Sequence, residues 1–128
     1  MATDPAELLA LIGRGDTAAL EAALGEGADA NACDRWGVSA LARAAAKGDL
    51  AAVELLLAHG AEVGRTSDAG NSALMVAAAR GRLDVVTRLL DAGADADHKN
   101  KWGQGAGDWA KWPANSAEVV ALLHSRRR

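Results

Sequence analysis

The sequence predicts an all-α solenoid of about four helix-turn-helix repeats, with a 33-residue period and short turn or hairpin tips. Three observations predict it. The stretch from Gly48 to Val63 (GDLAAVELLLAHGAEV) returns 33 positions later from Gly81 to Ala96 (GRLDVVTRLLDAGADA), and an earlier copy runs from Gly15 to Ala30 (GDTAALEAALGEGADA). A fixed period in this range marks stacked repeats. On the same ruler, apolar columns form: Leu8, Leu41 and Leu74, broken by Gly107; Leu11, Ala44, Ala77 and Ala110; Leu20, Val53, Val86 and Val119; Leu24, Leu57, Leu90 and Leu123. Finally, half of the chain is hydrophobic, yet this half is mostly Ala, Leu and Val, with no Phe or Tyr and four Trp. Small side chains at that density suit close helix-on-helix stacking.

The 128 residues form one domain in this reading, divided into copies at 1–33, 34–66, 67–99 and 100–128. The first copy opens on Asp4-Pro5-Ala6-Glu7. Asp as cap, Pro at the first helical position and Glu three after the cap make a helix start. With no turn segment ahead of it, this copy is expected to act as an N-terminal cap.

In the second copy, Asp34-Arg35-Trp36-Gly37 reads as a tight turn, as does Ser67-Asp68-Ala69-Gly70 in the third, because Asp or Ser opens and Gly closes such turns. A first helix is predicted from Ser39 to Lys47 and ends at Gly48. Asp49 offers its carboxylate to the free amides of a second helix, Leu50 to Ala58. Val53, Leu56 and Leu57 recur at helical spacing as its inward stripe, and Gly60 closes it. The residues from Ala61 to Asn71 are too few and too polar for another helix. The third copy repeats the scheme, with a second helix from Leu83 to Ala92.

The last copy departs from it. Gly103-Gln104-Gly105-Ala106-Gly107 replaces the apolar start of the first helix, and Pro113 falls near its end. Trp109 and Trp112, three apart, are expected to replace the missing leucine as packing mass. From Ser116 the register is open by one residue, and Arg126-Arg127-Arg128 is expected to be a solvated, frayed end.

Asp34-x-x-Gly37-x-Ser39-Ala40-Leu41, then Ala44-Ala45-x-x-Gly48, then Val53, Leu56-Leu57 and Gly60-Ala61, resembles the ankyrin repeat; Asp29-Ala30-Asn31-Ala32 is similar to its between-repeat segment. The resemblance covers about residues 5–123. The family's Thr-Pro-Leu-His motif reads Ser39-Ala40-Leu41-Ala42, Ser72-Ala73-Leu74-Met75 and Gly105-Ala106-Gly107-Asp108, so serine still caps the helix but the histidine that ties neighbouring repeats is missing. The copies also differ from one another too much for a consensus design. The resemblance implies a protein-protein interaction module that grips a partner with its turn tips and concave helix face.

Several function classes are excluded or weakened by the residues. A net charge of −3 argues against a nucleic-acid binder. No apolar run reaches the ~18 residues of a membrane span, and the opening has no basic segment leading into an apolar one. One cysteine, Cys33, excludes an internal disulfide. The expectation is a soluble, cytoplasmic monomer. His59, His98 and His124 belong to no motif with a nucleophile, and Cys33 and His98 lie two copies apart, about 20 Å on helix spacings of ~8–10 Å, too far to share a metal. Gly103–Gly107 lacks the strand before it and the Lys-Ser/Thr after it that a phosphate loop needs. No catalytic residue, metal or cofactor is expected.

Three columns remain as candidates for recognition. Trp36 and Trp102 share one turn position, with Ala69 between them, and are expected about 20 Å apart on one edge. Tryptophan is enriched at interface hot spots; the other reading has each indole folded back over its own turn. Arg14, Lys47 and Arg80 form a basic column near the ends of the first helices, and Arg35 and Lys101 continue it on the turns, interrupted by Asp68. Such cations on a negatively charged chain fit an acidic surface or segment of another protein, although a solvated face would look the same. Trp112 joins these as a candidate partner contact. Asp29, Glu62 and Asp95, after each second helix, are expected to be structural and solvent-facing. The rival readings are an accessory or regulatory subunit of an enzyme, and a structural or engineered ankyrin scaffold.

Overall fold

The structure, a computed structural model, describes residues 3–126. It is built from helix pairs: α1 (Pro5–Arg14) with α2 (Thr17–Gly25), α3 (Ala40–Lys47) with α4 (Leu50–Ala58), α5 (Ala73–Ala79) with α6 (Leu83–Asp91), and α7 (Ala106–Trp109) with α8 (Ser116–Ser125). First helices pack on first helices, α1 on α3 on α5 on α7, and second helices on second, α2 on α4 on α6 on α8. The chain is therefore a two-layer α-solenoid. Among the described residues the only β pairing is isolated antiparallel bridges, Cys33 to Ser39, Thr66 to Ser72 and Lys99 to Gly105, each 33 positions on from the last (66−33 and 99−66; 72−39 and 105−72).

The local chemistry explains most of the helix starts and the end of α3. Asp4 Oδ1 accepts from the Glu7 amide at 2.8 Å, Ser39 Oγ from Ala42 at 3.1 Å and Ser72 Oγ from Met75 at 3.3 Å, so first helices begin immediately after a short polar cap. Asp16 and Asp49 cap α2 and α4 in the same way, each at 3.1 Å. Arg82 stands at the corresponding place before α6 and makes no side-chain cap; Asp84, in the first turn, supplies the negative charge there. Gly48 ends α3 at φ 72°, a left-handed conformation that glycine adopts without a Cβ penalty.

The predicted columns form the core. Leu8, Leu41 and Leu74, the Ala44–Ala77–Ala110 series and Leu20, Val53, Val86 and Val119 are all buried. Leu11 and Leu57 are partly buried members of their columns, and Leu56, fully buried, carries more of the α4 stripe than Leu57 does. Ala42 and Met75 stand where the resemblance would place a tying histidine, and other bonds link the repeats. Asn31 donates to Gly60 O at 3.2 Å and accepts from the Glu62 amide at 2.8 Å, and Asn115 donates to Gly81 O at 2.9 Å.

The last pair differs from the expectation in three respects. α7 is only four residues long. Gly105 has no hydroxyl to cap it, and the Asp108 carboxylate reaches back to the Gly105 amide instead, at 2.8 Å. Because α7 stops at Trp109, Trp112 is not one turn further along the same face. Trp109 packs partly against the core, whereas Trp112 is 81% exposed and supplies no packing mass. Gly107, in the column of Leu8, Leu41 and Leu74, opens on free space, so a leucine there would bury little. In α8 the 33-residue register continues, with Val119 and Leu123 buried. Arg126 is not frayed, since it pairs with Asp91 at 2.7 Å; Arg127 and Arg128 lie outside the described residues.

Candidate protein-interaction surface

Each turn tip is built by the side chain that opens it. Asp34 Oδ1 accepts from the Trp36 and Val38 amides at 2.9 and 3.0 Å, and Oδ2 takes the Arg43 guanidinium at 2.8 Å. Asn100 repeats this two tips further on, its Oδ1 accepting from the Trp102 and Gln104 amides at 2.9 and 3.0 Å. Buried Asn100 also donates to Asn71 Oδ1 and Gln104 Oε1, at 3.0 and 3.2 Å. The two tryptophans thus stand on equivalent backbone positions, and both indoles are exposed, Trp36 by 57% and Trp102 by 70%. Backbone bonds chain the tips together, the Asp68 amide to Trp36 O at 2.9 Å and the Lys101 amide to Ala69 O at 3.1 Å. Trp36, Ala69 and Trp102 follow one another along a single edge. The Arg35 guanidinium stacks on the Trp36 ring, 4.4 Å from its centroid; Lys101 is exposed beside Trp102.

Burial pushes the Asp34 carboxyl up, but the Val38 and Trp36 amides and the Arg43 guanidinium outweigh it and hold the group below the ordinary carboxylate value. A carboxyl depressed in the folded state stabilises the fold above its unfolded pKa. That contribution is lost as pH falls through the lowered folded value. Acidification below about pH 4 should therefore narrow the gap between the wild type and Asp34→Asn, which retains an amide-accepting oxygen and lacks the ion pair. Thermal melts at pH 7 and pH 3 test this: the variant should melt lower at pH 7, and the difference should shrink at pH 3.

The basic column is only partly brought together. Arg14 lines a groove on α1 and α2 that also contains Glu7 and Glu26. Lys47 and Arg80 instead share a groove of about 510 Å³ with Ile12, Gly13, Arg43, Ala46 and Arg82. Lys47 Nζ donates to Ile12 O at 3.1 Å and Gly13 O at 2.8 Å, closing the C-terminal end of α1. Part of its charge therefore has a structural use. Beside it runs a larger groove, about 760 Å³, between α1 and the first tip; Cys33, Arg35 and Trp36 line it, and Gly13 and Arg43 belong to both. Trp102, Lys101 and Trp112 stand outside these grooves, on the tips and at the exposed loop after α7.

Arg43 and Arg82 are members of the site that periodicity hides. Arg43 is one helical turn before Lys47, a spacing that puts both on one face. Arg82 falls in a column occupied by Asp16 and Asp49, so a search for repeated cations passes over it. Asp29 and Asp95 accept from the Asn31 and Asp97 amides at 2.8 and 2.9 Å, and Glu62 pairs with Arg65 at 3.3 Å; all three acids are exposed. Among the described residues, no group of three or more His, Cys, Asp or Glu could hold a metal ion, and no helix is long and apolar enough to cross a membrane.

Stacked helix pairs with a row of turn tips along one edge, and grooves between the tips and the first-layer helices, define a helical-repeat protein of the solenoid class. The family description "Ankyrin repeats (3 copies)" matches residues 8–100, and the chain belongs to the ankyrin repeat family, whose members are generally protein-interaction modules. A search of the curated proteins finds no match to this chain.

Proposed function

We propose that the chain is a single-domain protein-protein interaction module without catalysis of its own, binding a partner with an acidic surface or segment through its turn tips and concave helix face. Trp36 and Trp102 are the anchors, Arg35 and Lys101 flank them, and Lys47, Arg80 and Arg14 set the sign of the field that steers the partner. Trp112 adds a further contact at the far end. In this reading the protein works as a cytoplasmic monomer, and neither nucleic acid nor membrane is its target.

The observation that carries the reading is the pair of exposed indoles at one turn position in two tips, of which Trp36 lines the groove that adjoins the cation-rich one. Tryptophan has only two side-chain torsions to fix on binding, which favours a hot spot. The double variant Trp36→Ala/Trp102→Ala should keep its helical circular dichroism and capture the partner more than tenfold more weakly. Unchanged capture would remove both residues from the site.

A further inference from the structure

The two grooves that meet at Gly13 and Arg43 differ in chemistry. Along α1 the lining is largely apolar, with Pro5, Ala6, Leu9 and Ala10 beside Trp36, and its two acids are already engaged, Asp4 in capping α1 and Asp34 in pairing with Arg43. Across the ends of α1, α3 and α5 the lining carries four cations and no acid. Of these, Arg43 is paired with Asp34, and Lys47 is tied to carbonyl oxygens. Arg80 and Arg82 have no acidic partner among the described residues. The Arg82 stem packs across Gly48, where an added Cβ would fall 2.8 Å from its Cδ, and this keeps the guanidinium at the groove. On a chain of net charge −3 this is a local reversal of sign.

Resting on the interaction reading above, we propose that the joined groove takes one linear, acidic segment of the partner. A bulky apolar side chain of the segment sits under Trp36, and two or more of its carboxylates meet Arg80 and Arg82. The grooves meet at Gly13 and Arg43, so a single extended strand can run through both. The spacing follows from the fold: α1 to α5 is two helix steps of ~8–10 Å, and an extended chain advances ~3.3 Å per residue. The apolar residue and the carboxylates should therefore stand about five or six residues apart.

The test is selection of random twelve-residue peptides on the full chain, followed by synthesis of the enriched ones. Enriched peptides should combine an apolar residue with acidic ones at about that spacing. Their affinity should fall at least tenfold with Arg80→Glu/Arg82→Glu, whose folding is checked by its thermal melt, and should weaken as salt rises. Cys33, the single cysteine, is exposed and lines the apolar groove, so a bound peptide should slow its reaction with a thiol reagent several-fold. Failure to enrich any peptide, enrichment of peptides without acidic residues, affinity indifferent to the double charge reversal, or an unprotected Cys33 would each overturn the inference. So would a concentration-dependent dimer that the charge reversal abolishes, since the occupant would then be a second copy of this chain. Partner capture lost in the Trp36/Trp102 variant alongside any of these failures would leave the interaction reading standing and remove only the linear segment.

Discussion

Replacing Leu74 by Ala should lower the free energy of unfolding by about 2–5 kcal/mol. Leu74 is fully buried on α5, the helix that packs on both α3 and α7. The small side chains around it set the size of the effect. Ala44, Ala45, Ala77, Ala78, Ala106 and Ala110 are all buried in this layer, and alanine has no rotamers with which to fill a vacated space. The cavity term therefore persists in addition to the lost transfer energy. A domain of this size has only about 5–15 kcal/mol of stability in total. In stacked repeats that total is a sum of repeat and neighbour terms, so a fault in the third repeat weakens its joins to the repeats on either side. Urea unfolding followed by circular dichroism measures the loss; a value under about 1 kcal/mol would contradict the packing of α5 between its two neighbours.

The second large effect is expected for Gly81→Ala, at about 2–3 kcal/mol. Gly81 has φ 66°, and a Cβ there would lie 2.2 Å from Asn115 Oδ1 and 2.8 Å from Pro113 Cβ. The left-handed backbone costs an alanine roughly 1–2 kcal/mol. Moving Asn115 away also loses its bond to Gly81 O, worth about 0.5–1.5 kcal/mol. Gly15→Ala is the control. At φ 70° it has the same backbone, but its nearest neighbour is Lys47 Nζ at 3.7 Å, so it should show the conformational cost alone. Thermal melts of the two variants should differ by several degrees; equal melts would mean that the loop between α7 and α8 does not rest on Gly81.

The same residues show how far the sequence could be read. The solenoid was legible because burial and capping both recur: Leu8, Leu41 and Leu74 fall on one face, and Asp4, Ser39 and Ser72 cap the helices carrying them. A spacing of three puts Trp112 on the face of Trp109 only along a continuing helix, and α7 ends at Trp109. Lys47 was legible as a repeated cation, though its bonds to the carbonyls of Ile12 and Gly13 cross between repeats and leave no trace in composition. Arg43 and Arg82 enter the groove from different points of the repeat, brought together by stacking, which a column-by-column comparison does not see.

Amide hydrogen exchange, compared between the free protein and its partner complex, tests the recognition surface most directly. Slowed exchange should concentrate at the tips, residues 34–37, 67–70 and 100–103, and along α1, α3 and α5. Protection confined to α2, α4, α6 and α8, with the tips unchanged, would place the partner on the opposite layer and contradict the assignment.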